Sequence, residues 1–401
     1  MSSSASSTAS WLETAAVRFD LHKDSFGFYV HVPFCASRCG YCDFNTYTAS
    51  ELGAGVNRET YAQQVIAEIE AARDVFTTPP RVSTVFFGGG TPSLLPSADL
   101  GAILRAIDEC FGLEPDAEVT TEANPESVDP EYLKQLRAHG FTRLSLGMQS
   151  TARHVLQTLE RQHTPQRALE AVTWARKAGF DHVSLDLIYG TPGETIDDFA
   201  RTLRAAIDAG VDHVSAYSLI VEEGTALARR VRRGEVPRPD DDLAADRYLL
   251  ADQLLSEAGF TWYEVSNWAK TDRDQCRHNL LYWQGGHWWG AGPGAHSSLP
   301  GVRWWNVKHP ARYAEQLRSG ALPIEGHETL TVDDQYLEEI MLRARLFAGL
   351  PVSSLQEHSV TTAHRIVLDG LVEPRAFEQG TIRLTLRGRL LADAVVRDLT
   401  G

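Results

Sequence analysis

The chain has 401 residues, 43% of them hydrophobic, and a formal net charge of −15. That is long enough for one large domain and a smaller one, each with its own core. It is too acidic to favour a sequence-independent phosphate-binding surface, so no nucleic-acid partner is expected. Five cysteines, three of them within eight residues, suit a reducing compartment rather than a disulfide scaffold. No apolar run approaches the roughly 20 residues that a membrane-crossing helix needs.

In chain order, Met1 to Ser10 is Ser/Ala/Thr-rich and lacks the basic start and apolar stretch of a signal peptide. Residues 1–22 are expected to be a disordered leader, with the cytoplasm as the default location. Phe26 to Val32 reads as a strand, ended by Pro33, which has no N–H for a ladder. Helical spacing follows from Arg58 to Val75, then a strand at Ser83 to Phe87 that runs into Gly88-Gly89-Gly90-Thr91-Pro92. Further strands are expected at Glu118–Glu122, Thr142–Gly147, Val183–Tyr189 and His213–Leu219, with helical stretches between them.

Alternation of this kind predicts an α/β fold, a parallel sheet of six βα units forming a partial barrel over residues 23–260. In such folds ligands bind beyond the carboxyl ends of the strands, and each motif named here follows a strand. Residues 261–310 form a Trp/Gly-rich connecting segment; seven of the nine tryptophans lie between Trp262 and Trp305. Residues 311–401 predict a smaller, mostly helical winged-helix-like domain, including a helix over Asp333–Phe347 and a strand pair near Ile382–Leu386.

The chemistry concentrates in Cys35, Cys39 and Cys42, spaced C-x3-C-x2-C on a loop behind the first strand. Iron–sulfur clusters are held by cysteine thiolates, and three thiols leave one iron of a cubane open to a small molecule. The triplet alone also allows a four-coordinate zinc site completed by His31 or a distant histidine, a redox thiol pair, or unreactive core cysteines. The glycine run after the second strand lets backbone approach a ligand closely, because glycine has no Cβ.

Taken together, the cysteine triplet, Tyr29 and Tyr41 around it, and the Gly-Gly-Gly-Thr-Pro stretch resemble the radical S-adenosylmethionine (SAM) superfamily. That resemblance implies a [4Fe-4S] cluster on Cys35, Cys39 and Cys42, with SAM chelating the open iron. It further implies that Tyr29, Tyr41, Gly89, Gly90, Thr91, Glu122, Gln149, Arg161 and Asp186 line the SAM pocket. Carboxylates and backbone dipoles suit a cationic sulfonium, and burial protects radical chemistry from quenching.

Within the superfamily, Tyr-Val-His-Val-Pro-Phe-Cys, Asp-Leu-Ile-Tyr-Gly-Thr-Pro-Gly-Glu-Thr and Tyr-Glu-Val-Ser-Asn-Trp-Ala resemble the branch that holds oxygen-independent coproporphyrinogen III oxidases and haem chaperones. The oxidases look like C-x3-C-x2-C-x-C, whereas the last of those positions is Phe44 here. His278-Asn279-Leu280-Leu281-Tyr282-Trp283 resembles a stretch associated with haem binding in the chaperones. A His and a Tyr four apart on a helix share a face, and both side-chain types ligate haem iron. His278 and Tyr282 are therefore the candidate haem residues.

The expected function is a [4Fe-4S]- and SAM-binding haem chaperone. Its implied partners are haem as cargo, client apo-haemoproteins such as respiratory enzymes at the membrane, and a ferredoxin or flavodoxin as reductant; a homodimer is allowed. The alternative is the oxidase itself, which converts two propionates of coproporphyrinogen III to vinyl groups by 5′-deoxyadenosyl radical chemistry.

Overall fold

A computed structural model of the chain describes residues 10–52, 58–162 and 164–401. At its centre are six parallel strands in sequence order: β1 (Phe26–Val32), β2 (Val82–Gly89), β3 (Leu113–Ala123), β4 (Arg143–Gln149), β5 (His182–Tyr189) and β6 (His213–Ser218). Helices Arg58–Arg73, Ser97–Phe111, Pro130–Ala138, Pro165–Ala178 and Ile196–Asp208 connect successive strands.

These strands are buried on both faces, but the two faces differ. Along β3, Val119, Thr121 and Ala123 are buried in alternation with Glu118, Thr120 and Glu122. Along β4, Leu144, Leu146 and Met148 alternate with Arg143, Ser145 and Gln149. Successive side chains of a strand point to opposite faces. The apolar set packs in the main core with the connecting helices, as in Leu133, Leu136, Ala171 and Val172. Apart from Glu118, the polar set lines a cavity reached by residues of all six strands, from Tyr29 to Tyr217, so the sheet wraps around it.

The sheet is larger than the six expected units. The segment from 261 is not a connection but sheet: β7 (Thr261–Glu264) and β8 (Asn267–Ala269) extend it antiparallel beyond β6. At the other edge β9 (His287–Ala291) pairs parallel to β1, and β10 (His296–Leu299), β11 (Val302–Asn306) and β12 (Ile324–Thr329) continue it antiparallel. The tryptophans explain why. Trp262, Trp268, Trp289 and Trp304 are buried in the main core, supplying the apolar face of these added strands.

β12 belongs to the sheet, so the C-terminal unit begins after it, later than residue 311. Helices Val332–Arg343, Glu357–Leu368 and Ala392–Thr400 enclose a separate core that includes Ile340, Ala344, Leu350, Ile366 and Leu399. A two-stranded pair, Leu350–Pro351 with Thr381–Ile382, completes it.

The expected leader requires correction. Residues 1–9 lie outside the described residues, but Ser10–Arg18 is a helix. Leu12 and Ala15 are buried on one side of it, and Trp11 stacks on His327 at 4.2 Å between ring centroids. Phe19 then packs edge-on against Phe26 of β1 at 5.7 Å. The apolar residues spaced three and four apart after Ser10 give this stretch a face to bury, which the polar residues before it lack.

Candidate cofactor site

The cysteine loop is closed at its base by two backbone bonds, Cys35 N–H to Tyr47 O at 3.0 Å and Tyr47 N–H to Pro33 O at 2.7 Å. Three further anchors hold it. The Asn45 amide donates to Pro293 O and Lys308 O, His31 Nε2 bonds Asn45 O at 2.9 Å, and Gly40 bonds Leu159 O and Leu227 N. All three thiols are free, and all three face one cavity of about 1040 Å³.

Their arrangement bears on the kind of centre they could hold. The three sulfurs do not all lie within 4.8 Å of one another, whereas thiolates of a tetrahedral zinc site sit roughly 3.8 Å apart. His31, the local candidate for a fourth zinc ligand, has both ring nitrogens engaged, Nδ1 with Tyr29 at 2.9 Å and Nε2 with Asn45 O. As placed, the three thiols form no ready single-ion site, and three thiols on one loop suit a wider centre.

Every residue of the expected SAM pocket lines the same cavity: Tyr29, Tyr41, Gly89, Gly90, Thr91, Glu122, Gln149, Arg161 and Asp186 stand around the cysteines. Arg161 places Nη1 3.3 Å from Cys39 Sγ and donates through Nη2 to Gly147 O at 3.0 Å. A guanidinium there offsets the negative charge of thiolates in a buried site. Gln149 adopts φ +62, at a register shift in β4 between Gly147 and Gln149. A non-glycine residue in this region is uncommon, and such conformations concentrate at ligand sites.

Glu122 is half-buried beside the glycine run and accepts from Gly89 N–H at 3.2 Å. Burial, reinforced by the nearby Asp186 charge, pushes its carboxyl up to about 8. Burial also raises Asp186, although the Ser145 hydroxyl donates to it. Two acids on one cavity wall, each raised by burial, would be relieved by a cationic ligand.

The glycine run lines the cavity and is also tied to the cysteine loop. The N–H groups of Gly90 and Thr91 bond Val32 O at 2.8 Å and Phe34 O at 2.7 Å. A Cβ on Gly90 would stand 2.6 Å from Phe34 O and 2.8 Å from Val32 O. At Gly90 the start of the cysteine loop lies directly against the run, whereas Gly89 has φ +103 and lies against the His31 ring.

His278 and Tyr282 are not among the cavity-lining residues. They do share a helix face, on Arg277–Trp283, but they bond each other: His278 Nε2 to the Tyr282 hydroxyl at 2.8 Å. His278 Nδ1 bonds Thr84 Oγ1 at 2.8 Å, and its ring stacks on Phe86. Burial holds this imidazole down to about 3, so it is neutral.

Sequence reading missed much of the cavity floor. Arg143, Ser145, Ser184, His213, Ser215 and Tyr217 line it together with Cys276 and Asn279. Their signal was the polar alternation inside β4, β5 and β6, where every second residue is hydrophilic in strands otherwise rich in Val, Leu and Ile.

Comparison with known proteins agrees with this geometry. Residues 29–206 match the Radical SAM superfamily model. The heme chaperone HemW of Mycobacterium tuberculosis (strain ATCC 25618 / H37Rv) is 55% identical over 376 residues, 94% of this chain and 95% of that protein. The chain belongs to the HemW family of radical SAM proteins.

The heme chaperone HemW of Bacillus subtilis is 31% identical over 92% of this chain and 97% of its own length. A bovine relative, radical S-adenosyl methionine domain-containing protein 1, mitochondrial, is 40% identical over 92% of this chain and 79% of its length. Among solved structures, coproporphyrinogen III oxidase (HemN) from Escherichia coli aligns with a TM-score of 0.82 at 23% identity, covering 97% of this chain and 92% of that one. HemW and that oxidase thus share the fold. Phe44, two positions after Cys42, lies exposed at the cavity rim.

Proposed function

We propose that this protein is a haem chaperone that binds a [4Fe-4S] cluster and SAM and passes haem to apo-haemoproteins. The observation that carries the reading is 55% identity, over nearly the whole chain, to a protein named heme chaperone HemW. Cys35, Cys39 and Cys42 would hold the cluster. Glu122, beside the glycine run, and Asp186 would hold the cationic end of SAM, with Tyr41 and Gln149 on the walls. The chemistry such a centre supplies when loaded is one-electron reduction of a sulfonium. The chain's own part is to anchor the loop, balance charge through Arg161 and enclose the ligand in a largely buried cavity.

Haem ligation by His278 or Tyr282 would require the His278–Tyr282 or His278–Thr84 bond to open, since neither ring nitrogen is free. The reading therefore places no iron ligand on His278 in the packed state.

The deciding experiment is anaerobic. Protein reconstituted with iron and sulfide receives SAM, a strong reductant and coproporphyrinogen III, and the porphyrins are separated. The expected result is no vinyl-bearing product, together with haemin binding and transfer of that haem to an apo-haemoprotein. Vinyl products over many turnovers would make this protein a decarboxylating oxidase despite Phe44.

A further inference from the structure

We infer that haem is held on the face of β9–β11 turned away from the main core, with His296 as its iron ligand and the indoles of Trp288 and Trp305 beside it. This rests on the haem-chaperone reading above and adds to it the place where the cargo sits. None of the three residues lines the cofactor cavity.

The face is set by strand alternation. Trp289, Ser297, Leu299 and Trp304 are buried on the core side. Trp288 and Trp305 are half-buried on the other side, and His296 between them is exposed. The register puts His296 across from Trp305, and Ser298 across from both Trp288 and Arg303. Trp288 Nε1 donates to His296 O at 2.8 Å, which fixes that indole beside the histidine. The Trp305 ring lies along the sheet over Gly326, where a Cβ would stand 2.6 Å from its Cζ2. The His296 ring stacks on its flank, 5.8 Å between centroids and 28° between planes. One imidazole thus stands between two indoles on an open sheet surface, a setting for a flat apolar macrocycle.

Iron needs a lone pair that no other group holds. His31, His213 and His278 have both ring nitrogens bonded: to Tyr29 and Asn45, to Ser184 and Tyr263, and to Thr84 and Tyr282. Neither ring nitrogen of His296 has a hydrogen-bond or ion-pair partner among the described residues. Partial burial, then the charges of Lys308 and Arg303, hold its pKa below the ordinary 6.5 against the pull of Glu328, so the ring is neutral at pH 7. Arg303 is committed to Glu328 at 2.8 Å and Glu338 at 2.5 Å. Lys308 is exposed and has no carboxylate within ion-pair distance among the described residues, which leaves it for a haem propionate. Its carbonyl accepts from Asn45 and Tyr47, so this face adjoins the cysteine loop. The bond formed is dative, from an imidazole nitrogen to ferric iron, and it displaces the water on free haemin.

The test uses the full chain with its cluster reconstituted, and haemin as probe. Ferric haem is read by electron paramagnetic resonance, in which an oxidised [4Fe-4S] centre is silent, and affinity by titration. His296→Gly is expected to bind haemin at least roughly tenfold more weakly, the loss that even an outer partner of a metal ligand causes, and to lose the parent's histidine-ligated signal. His296→Gln, which keeps a polar side chain on the strand, should lose that signal equally. Imidazole in the buffer should restore it in His296→Gly. Iron-free protoporphyrin IX should bind parent and variants alike, because only the iron bond is gone, and His278→Gln should keep the parent's affinity and signal. Unchanged affinity and signal in both His296 variants would overturn the proposal and leave the chaperone reading standing. A parent protein that takes up no haemin would sink that reading, and this site with it.

Discussion

His278 Nε2 and the Tyr282 hydroxyl lie 2.8 Å apart across one turn of the helix Arg277–Trp283. With Thr84 on the other ring nitrogen, this pair ties that helix to β2 behind the cofactor cavity. His278→Ala removes both bonds and leaves a void, for an expected loss of roughly 2–4 kcal/mol in denaturant unfolding. Haemin affinity and the Soret spectrum are expected to stay as in the parent protein. A lost or shifted Soret band in a folded His278→Gln variant would instead make His278 an iron ligand.

The same imidazole gives a pH dependence. Its value is about 3 in the folded protein against an ordinary 6.5, so the unfolded chain binds the extra proton. The stability it contributes is present above 6.5 and is lost as pH falls toward 3, with a slope of up to about 1.4 kcal/mol per pH unit. Unfolding curves between pH 7 and 4 are expected to be flatter for His278→Gln than for the parent.

Glu122 has the opposite sign. Its folded value is raised from 4.5 to about 8, so its contribution is complete below 4.5 and disappears as pH rises through 8. Glu122→Gln should flatten the alkaline limb of stability in the ligand-free protein. A sulfonium ligand prefers the ionised carboxylate, so SAM affinity should rise between pH 6.5 and 8.5 in the parent and stay level in Glu122→Gln. Parallel profiles would remove Glu122 from the SAM site.

Replacement of Cys35, Cys39 or Cys42 by Ala is expected to abolish the full cluster, read as loss of the broad visible absorption after anaerobic reconstitution. Cys276→Ala should retain it. Cys276 lies on the cavity floor, with its thiol 3.6 Å from Glu118, away from the loop that carries the other three.

Gly90→Ala tests the contact between the glycine run and the cysteine loop. The new Cβ would meet two backbone carbonyls, Phe34 O and Val32 O, neither of which can swing aside as a side chain can. A destabilisation of roughly 1–3 kcal/mol is expected, accompanied by weaker cluster retention. Normal stability with normal reconstitution would show that the loop is free to shift.

The sequence by itself determined the parts whose signal is local. The C-x3-C-x2-C spacing, Pro33 at the end of a strand and the alternation of strand and helix patterns are short-range features, and they place Cys35, Cys39, Cys42, Glu122 and Asp186 at one end of a parallel sheet. Tertiary structure alone decided what depends on which segments meet. β9 finds its partner in β1 across more than half the chain, and Trp289 and Trp304 make core there rather than a ligand pocket. A His and a Tyr at helical spacing read equally well as iron ligands or as a bonded pair. Thr84, nearly two hundred positions away, takes the free nitrogen in the packed arrangement. Likewise the sequence shows Gly90 only as part of a glycine run, and the fold shows that Phe34 O and Val32 O leave no room there for a Cβ. Residue type announces what a side chain can do, and only the neighbour that reaches it first decides which of those things it does.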